Sequence, residues 1–255
     1  MKPTPNPTVC QPARSVRAAF VAVMAPALMI PLLLCKKPEY LTLTESRVVQ
    51  GIRFHDGTML KFSKSGRIEI AALSRDTTIG AITFKSSTTV NFYDSGVPSH
   101  GYVSGGKGPY AVPMKNGGLI MFYESGKIRS FEISGPYLIN GIQLDDGASI
   151  LLDSIGKLTG FSGCGTTIEN LDIQGIPVSS GSSVCFFENG RLKSMSIPEN
   201  RKLQGIHFQA GTVIELYQSG KIMEGVIAQP LSAGKATINA GSRVLFDEKG
   251  NAVEK

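Results

Sequence analysis

The chain has 255 residues, 42% of them hydrophobic and 18% charged, with 29 Gly and 14 Pro; that balance excludes a coiled coil and a disordered chain. There is no Trp, and three His give little material for a metal centre. The formal charge of +6 sits at one end: residues 1–37 carry Lys2, Arg14, Arg17, Lys36 and Lys37 and no acid, which leaves 21 basic and 20 acidic residues for the rest. A body so close to neutral lacks the basic face that phosphate contacts need, which argues against nucleic acid as a partner.

The same first residues have the layout of an export signal, a basic stretch ending at Arg17 and then the apolar run Ala18 to Leu34. That run is marginally short for a membrane span. Cys35 comes directly after Leu32, Leu33 and Leu34. This arrangement resembles the lipobox of bacterial lipoproteins, which implies cleavage before Cys35 and its modification by lipid. Leu32 fits that pattern; Leu34 departs from it, since the residue before the cysteine is normally small. Without cleavage, residues 18–34 would act as an anchor instead. Both readings tether the body to a membrane outside the cytoplasm. The chain therefore divides into a leader (1–35), a short tether (36–40) and one domain (41–255).

Within the domain, a Gly that closes a polar turn recurs at Gly66, Gly96, Gly126, Gly156, Gly190, Gly220 and Gly250, at spacings of 30, 30, 30, 34, 30 and 30. Self-similarity at a fixed period marks a repeat architecture. Seven units start at Gly51, Ala81, Ala111, Gly141, Gly175, Gly205 and Lys235, with one four-residue insertion in the fourth. Gly57 and Gly66 each come after polar residues, as in a three-residue hairpin loop whose last residue is left-handed. With such loops Phe54 pairs with Thr58 and Phe62 with Ile68, and Ile52, Phe54, Leu60, Phe62 and Ile68 share a face. Lys61, Asn91 and Glu215 then point to water.

The apolar pattern changes parity twice per unit, from Ile68 to Ala71 and Leu73 and again from Ile79 to Ile82 and Phe84. A strand that changes face must bend or bulge. The expected fold is therefore all-β: an elongated antiparallel β-repeat array of about seven 30-residue units, creased near each repeat start so that its apolar face folds onto itself. A parallel three-sided β-solenoid is the alternative. A transmembrane barrel fits poorly, because the strands are short and present charge outward.

Phe122–Ser130 (FYESGKIRS) and Phe186–Ser194 (FFENGRLKS) resemble the hairpin words of MORN-variant, antitoxin-like β-repeats, and the IQGI phrase at Ile173–Ile176 resembles repeat-rich lipoproteins of spirochaetes. The resemblance covers about residues 41–255 and implies an extended antiparallel array; it implies little about activity. The missing Trp and the longer unit depart from the commoner form.

Candidate sites are few. Gly101–Gly108 (GYVSGGKG) falls one residue short of a phosphate-binding loop, with Gly108 where Ser or Thr should stand and Pro109 where a helix should begin. It reads better as a degenerate connection in which Val103 takes the place of Leu73. Tyr93, Tyr123, Phe187 and Tyr217 share one register position and form a column, as candidate partner contacts or as packing between neighbouring turns. Cys164 and Cys185 are read as two strand spacings apart, beyond the Cα separation of about 7 Å that a disulfide spans, so a bond is left open but not expected. No catalytic, cofactor or metal residues emerge. The expected role is an exported, lipid-anchored binding platform of the bacterial envelope, at the outer membrane in preference to the inner. The membrane would be held through Cys35 or residues 18–34, and the partner would be an extracellular or periplasmic protein or glycan. The alternative is a structural spacer or shield without a ligand.

Overall fold

The computed structural model describes residues 39–234 and 236–253. The leader, Cys35, the apolar run 18–34 and tether residues 36–38 lie outside the described residues. No helix among those described is long and apolar enough to cross a membrane.

All seven turn glycines adopt left-handed geometry, with φ between 78° at Gly66 and 92° at Gly156. Each closes the same hairpin: in the first unit Ser63 N–H donates to Arg67 O at 2.8 Å and Gly66 N–H to Ser63 O at 2.9 Å, and the pair recurs through Asp247 and Gly250. Phe62 pairs with Ile68 across this turn, as the sequence indicates. One residue later the register shifts, because Lys61 pairs with Ile70 and Glu69 is extra. The same bulge comes after the turn in every hairpin up to Glu215–Leu216. An extra residue flips all side chains beyond it. That accounts for the first parity change and puts Ile68, Ala71 and Leu73 together in the core.

The second parity change comes from a tight turn. Ile79 and Ile82 are partners across a two-residue connection, so both face the same way. Six such short hairpins occur among the described residues, the first pairing Arg47–Val49 with Ile52–Phe54 and the last Leu231–Ala233 with Ala236–Ile238. In four of them both turn residues are left-handed, as at Gln50 (φ 51°) and Gly51 (φ 83°), which matches the right-handed twist of the flanking strands.

The architecture has two layers. Long hairpins such as Met59–Phe62 with Ile68–Ala72 join side by side into one continuous antiparallel sheet from Tyr40–Thr42 to Ala252–Val253, which does not close into a barrel. The short hairpins cover its apolar face. Every pairing among the described residues is antiparallel, so the three-sided solenoid does not apply. The Phe54–Thr58 pair also needs correction. Phe54 pairs with Arg47 in the short hairpin, and Leu60, two residues past Thr58, with Leu41 in the sheet. Gly57 is the corner between layers: its N–H donates back to Leu43 O at 2.7 Å. Corners repeat at Ser87, Gly117, Gly147, Gly181, Gly211 and Gly241, all with positive φ. The chain thus changes layer at these corners and at bends such as Ser74–Asp76, while the repeat-start glycines lie at the tips of the short hairpins.

Between the layers lies one core, with Phe54, Leu60, Phe84, Ile120, Leu144, Ile150, Phe208 and Ile214 fully buried. Burying each such side chain stabilises the fold by about 2 kcal/mol. Large residues of one layer meet small ones of the other. A Cβ on Gly101 would lie 2.8 Å from the Phe84 ring, and one on Gly225 only 2.6 Å from that of Phe208.

Candidate interaction surface

Side-chain ties hold the repeat together, and they absorb several residues that sequence reasoning offered as contacts. Tyr93, Tyr123 and Tyr217 are half-buried, and each hydroxyl donates at 2.8 Å to a carbonyl of the next unit, those of Phe122, Leu152 and Phe246 respectively. Phe187 holds the same register without a hydroxyl. The column is therefore committed to joining units through its polar ends, which leaves only the ring faces for other contacts.

A second set of ties went unrecognised in the sequence. Gln50, Gln174 and Gln204 stand at the tips of short hairpins in left-handed conformation. Each amide donates to the carbonyl of the long-turn Gly (Gly66, Gly190, Gly220) at 2.8 Å and accepts the N–H two residues later at 3.2 to 3.3 Å. This clasp between layers is the meaning of the recurring Gln-Gly-Ile phrase. The fourth unit has Asn140 at this position, one methylene shorter than Gln. There Tyr110, at the clasp position of the third unit, supplies the bond instead: its hydroxyl donates to Gly156 O at 3.0 Å and accepts Leu158 N–H at 3.2 Å.

The Gly-rich segment is explained by packing. Gly101 lies within strand Pro98–Ser104 beneath Phe84, Gly105 and Gly106 have φ of 97° and 112°, and a Cβ on Gly108 would lie 2.8 Å from the Phe131 ring. After Gly108 the chain makes a three-residue 3-10 turn, Pro109–Ala111. No helix N-terminus is aimed at the loop, so the phosphate-cradle geometry is absent from this segment. Val103 is buried like Leu73, its counterpart one unit earlier.

Of the three carboxylates among the described residues with lowered pKa, two serve the corners, while Asp247 serves a long turn through Asn251. A hydrogen bond from Ser86 N–H holds Asp76 below the usual carboxylate range, and bonds from Gly135 N–H and Lys115 do the same for Asp146. Such depressed groups stabilise the fold above the ordinary carboxylate pKa and lose that contribution as the pH falls through the lowered value. Among the described residues no three His, Cys, Asp or Glu side chains gather as a metal site.

Cys164 and Cys185 form a disulfide, their Cα atoms 4.0 Å apart. The expected separation of two strands fails for a definite reason. The four inserted residues lengthen strand Leu158–Thr167, an even insertion that keeps its faces, and residues 171–178 fold away as a short hairpin in the other layer. Ser183–Phe186 is consequently the direct neighbour of the lengthened strand, with Cys164 opposite Cys185.

The outer face of the long sheet remains open to a partner. Its two ends are occupied by charge pairs, Lys61 with Glu69 and Arg243 with Glu224. Its centre differs. Leu119, Met121 and Leu151 stand half-exposed beside Ser149, Ser162 and Gly163, and together with Tyr123, Arg129, Glu132 and Glu188 they line a trough of about 760 Å³. Tyr102, 41% exposed, extends the apolar strip as the cross-strand partner of Leu119. Half-exposed apolar side chains beside small residues offer both area and access. The alternation along the strands shows which residues face outward; only the sheet order shows that these from separate units adjoin. No protein-family model matches the chain, and no curated protein matches it in sequence.

Proposed function

We propose that the protein is an exported, membrane-anchored repeat protein of the bacterial envelope whose outer sheet face is a binding platform. The observation that carries the binding role is the central trough: a face serving only as a spacer has no need of Leu119, Met121 and Leu151 clustered between charged ends. The basic leader, the apolar run 18–34 and Cys35 support export and lipid anchoring, at the outer membrane in preference to the inner. The Cys164–Cys185 bond suits that address, because disulfides persist in oxidising compartments. The resemblance of the hairpin words to MORN-variant repeats and spirochaetal lipoproteins accords with the same reading. The partner is an extracellular or periplasmic protein or glycan. A spacer or shield is the second reading, favoured by the self-paired charges at both ends of the face.

Two measurements test the proposal. Intact mass of the protein from its own membrane fraction, beside Cys35→Ala, reads the anchor. The expected result is a chain beginning at Cys35 with acyl mass that the variant lacks; a full-length, unmodified chain would make residues 18–34 the anchor. Cross-linking in intact envelopes reads the platform. The wild type is expected to yield an adduct that is lost in a Met121→Arg/Leu151→Arg variant with unchanged thermal stability. Identical cross-linking in both would favour the spacer.

A further inference from the structure

Neighbouring units are held together by sheet pairing, by the tyrosine ties and by polar contacts between long-turn tips, and these ties are unevenly distributed. Units 2 and 3, 3 and 4, and 6 and 7 are joined by Tyr93, Tyr123 and Tyr217. Asn189 reaches Gln218 at 3.3 Å between units 5 and 6. Between units 4 and 5 the tyrosine position is taken by Asp153, whose carboxylate caps its own turn through Ile155 and Lys157 N–H, as Ser63 replaces the tyrosine between units 1 and 2. The side-chain bonds across the 4–5 junction lie at its corner instead, where Thr167 Oγ1 donates to Ser179 O at 2.7 Å and Ser180 N–H to Asn170 Oδ1 at 2.8 Å. The insertion also falls in this junction, and here alone among the described residues a covalent bond joins two units. The disulfide is half-buried and lies on the outer face, since Val184 and Gly165 beside it point to the core.

We propose that Cys164–Cys185 is a redox-operated latch that fixes units 1–4 to units 5–7. The chemistry is thiol–disulfide exchange with a dithiol reductant. A reductant thiolate attacks one Sγ and the Cys–Cys bond breaks. Its electron pair stays on the other Sγ, which takes up a proton. The second reductant thiol then displaces the first cysteine from the mixed disulfide. The net products are two cysteine thiols and an oxidised dithiol. Reduction removes the constraint closing the 21-residue separation between the cysteines while the continuous core on either side of the junction stays packed. The consequence is local: the Leu158–Thr167 and Ser183–Phe186 pairing opens more often, and the sheet gains a hinge beside the trough.

Hydrogen exchange on the native full chain, with and without a dithiol under non-denaturing conditions, tests this directly. Amides of residues 163–166 and 183–186 are expected to exchange at least about tenfold faster after reduction, because the loop that the bond closes is released. Units 2 and 7 should be unchanged, and both cysteines should become alkylatable. A Cys164→Ser/Cys185→Ser variant should match the reduced wild type and ignore the dithiol. A bond that resists the dithiol in the folded protein, unchanged exchange at the junction, or an equal rise across all units would each overturn the latch. Because the wild type alone supplies the main comparison, the test survives a variant that fails to fold.

Discussion

Gly225→Val is expected to lower stability by about 3 kcal/mol, read as an earlier midpoint in thermal or denaturant unfolding with the sheet signal retained below it. The cause is the absence of room. A Cβ at this position would lie 2.6 Å from Cε1 and 2.8 Å from Cδ1 of Phe208 and 3.5 Å from Ile214. Phe208 is completely buried and meets Phe246 edge-on, ring centroids 6.2 Å apart, so its ring cannot withdraw without disturbing the last unit. For a chain of this size each kcal/mol shifts the midpoint by about 2–4 °C.

The two residues can also be changed as a pair. Phe208→Leu alone leaves a cavity, and Gly225→Ala alone overfills the site; together they restore part of the volume match across the layers. A double-mutant cycle should therefore show a favourable coupling of about 1 kcal/mol. Strictly additive losses would mean that the two residues do not share the space assigned to them. Gly101 and Phe84 make the same pair in the second unit, with Gly101 Cβ at 2.8 Å from the ring.

That register position also shows what the sequence could and could not disclose. Gly101, read as part of a degenerate connection, lies within strand Pro98–Ser104, and the reason for a glycine there lies across the core in Phe84, a residue of a different hairpin. A one-dimensional period reveals positions that repeat; it does not reveal which repeating position faces which. The same limit explains the corners. Gly57 and Gly66 both come after polar residues and both have positive φ, so local chemistry treats them alike. Only the long-range bond from Gly57 N–H to Leu43 O distinguishes a change of layer from a hairpin. The parity change at Ile68 was legible, because alternation is strict and a shift demands an extra residue. The disulfide was not, because its cysteines become neighbours only when residues 171–178 leave the sheet.

The candidate surface was legible only in part. The tyrosine column stood out by its period, but that periodicity arises because each hydroxyl binds the next unit's carbonyl, at 2.8 Å in three cases. A feature that recurs from unit to unit is more readily explained by a task that recurs with it, which is stacking. The trough has the opposite character. Met121 and Leu151 stand at the outward position that Lys61, Asn91 and Glu215 fill in other units, and departures from the repeat are where a single partner would be recognised.

The second large effect is expected at the long turns, where two glycines separate backbone strain from crowding. Gly220 has φ of 84° and nothing within 4 Å of an added Cβ, whereas Gly190 has φ of 79° with Leu151 Cδ1 at 3.2 Å and the backbone of Phe161 and Gly160 at 3.6 and 3.7 Å. Val at Gly220 therefore pays only for forcing a β-branched residue into the left-handed region, about 2 kcal/mol. Val at Gly190 adds the displacement of Leu151, for a loss of about 3 kcal/mol in all. Asn, which tolerates the left-handed region, should recover most of the loss at Gly220 and less of it at Gly190. Equal losses for Val at both sites would show that backbone conformation alone decides the turn. No loss at Gly220 would show that the bulged hairpin does not need its left-handed residue, and the common turn that sets the register of the array would have to be sought elsewhere.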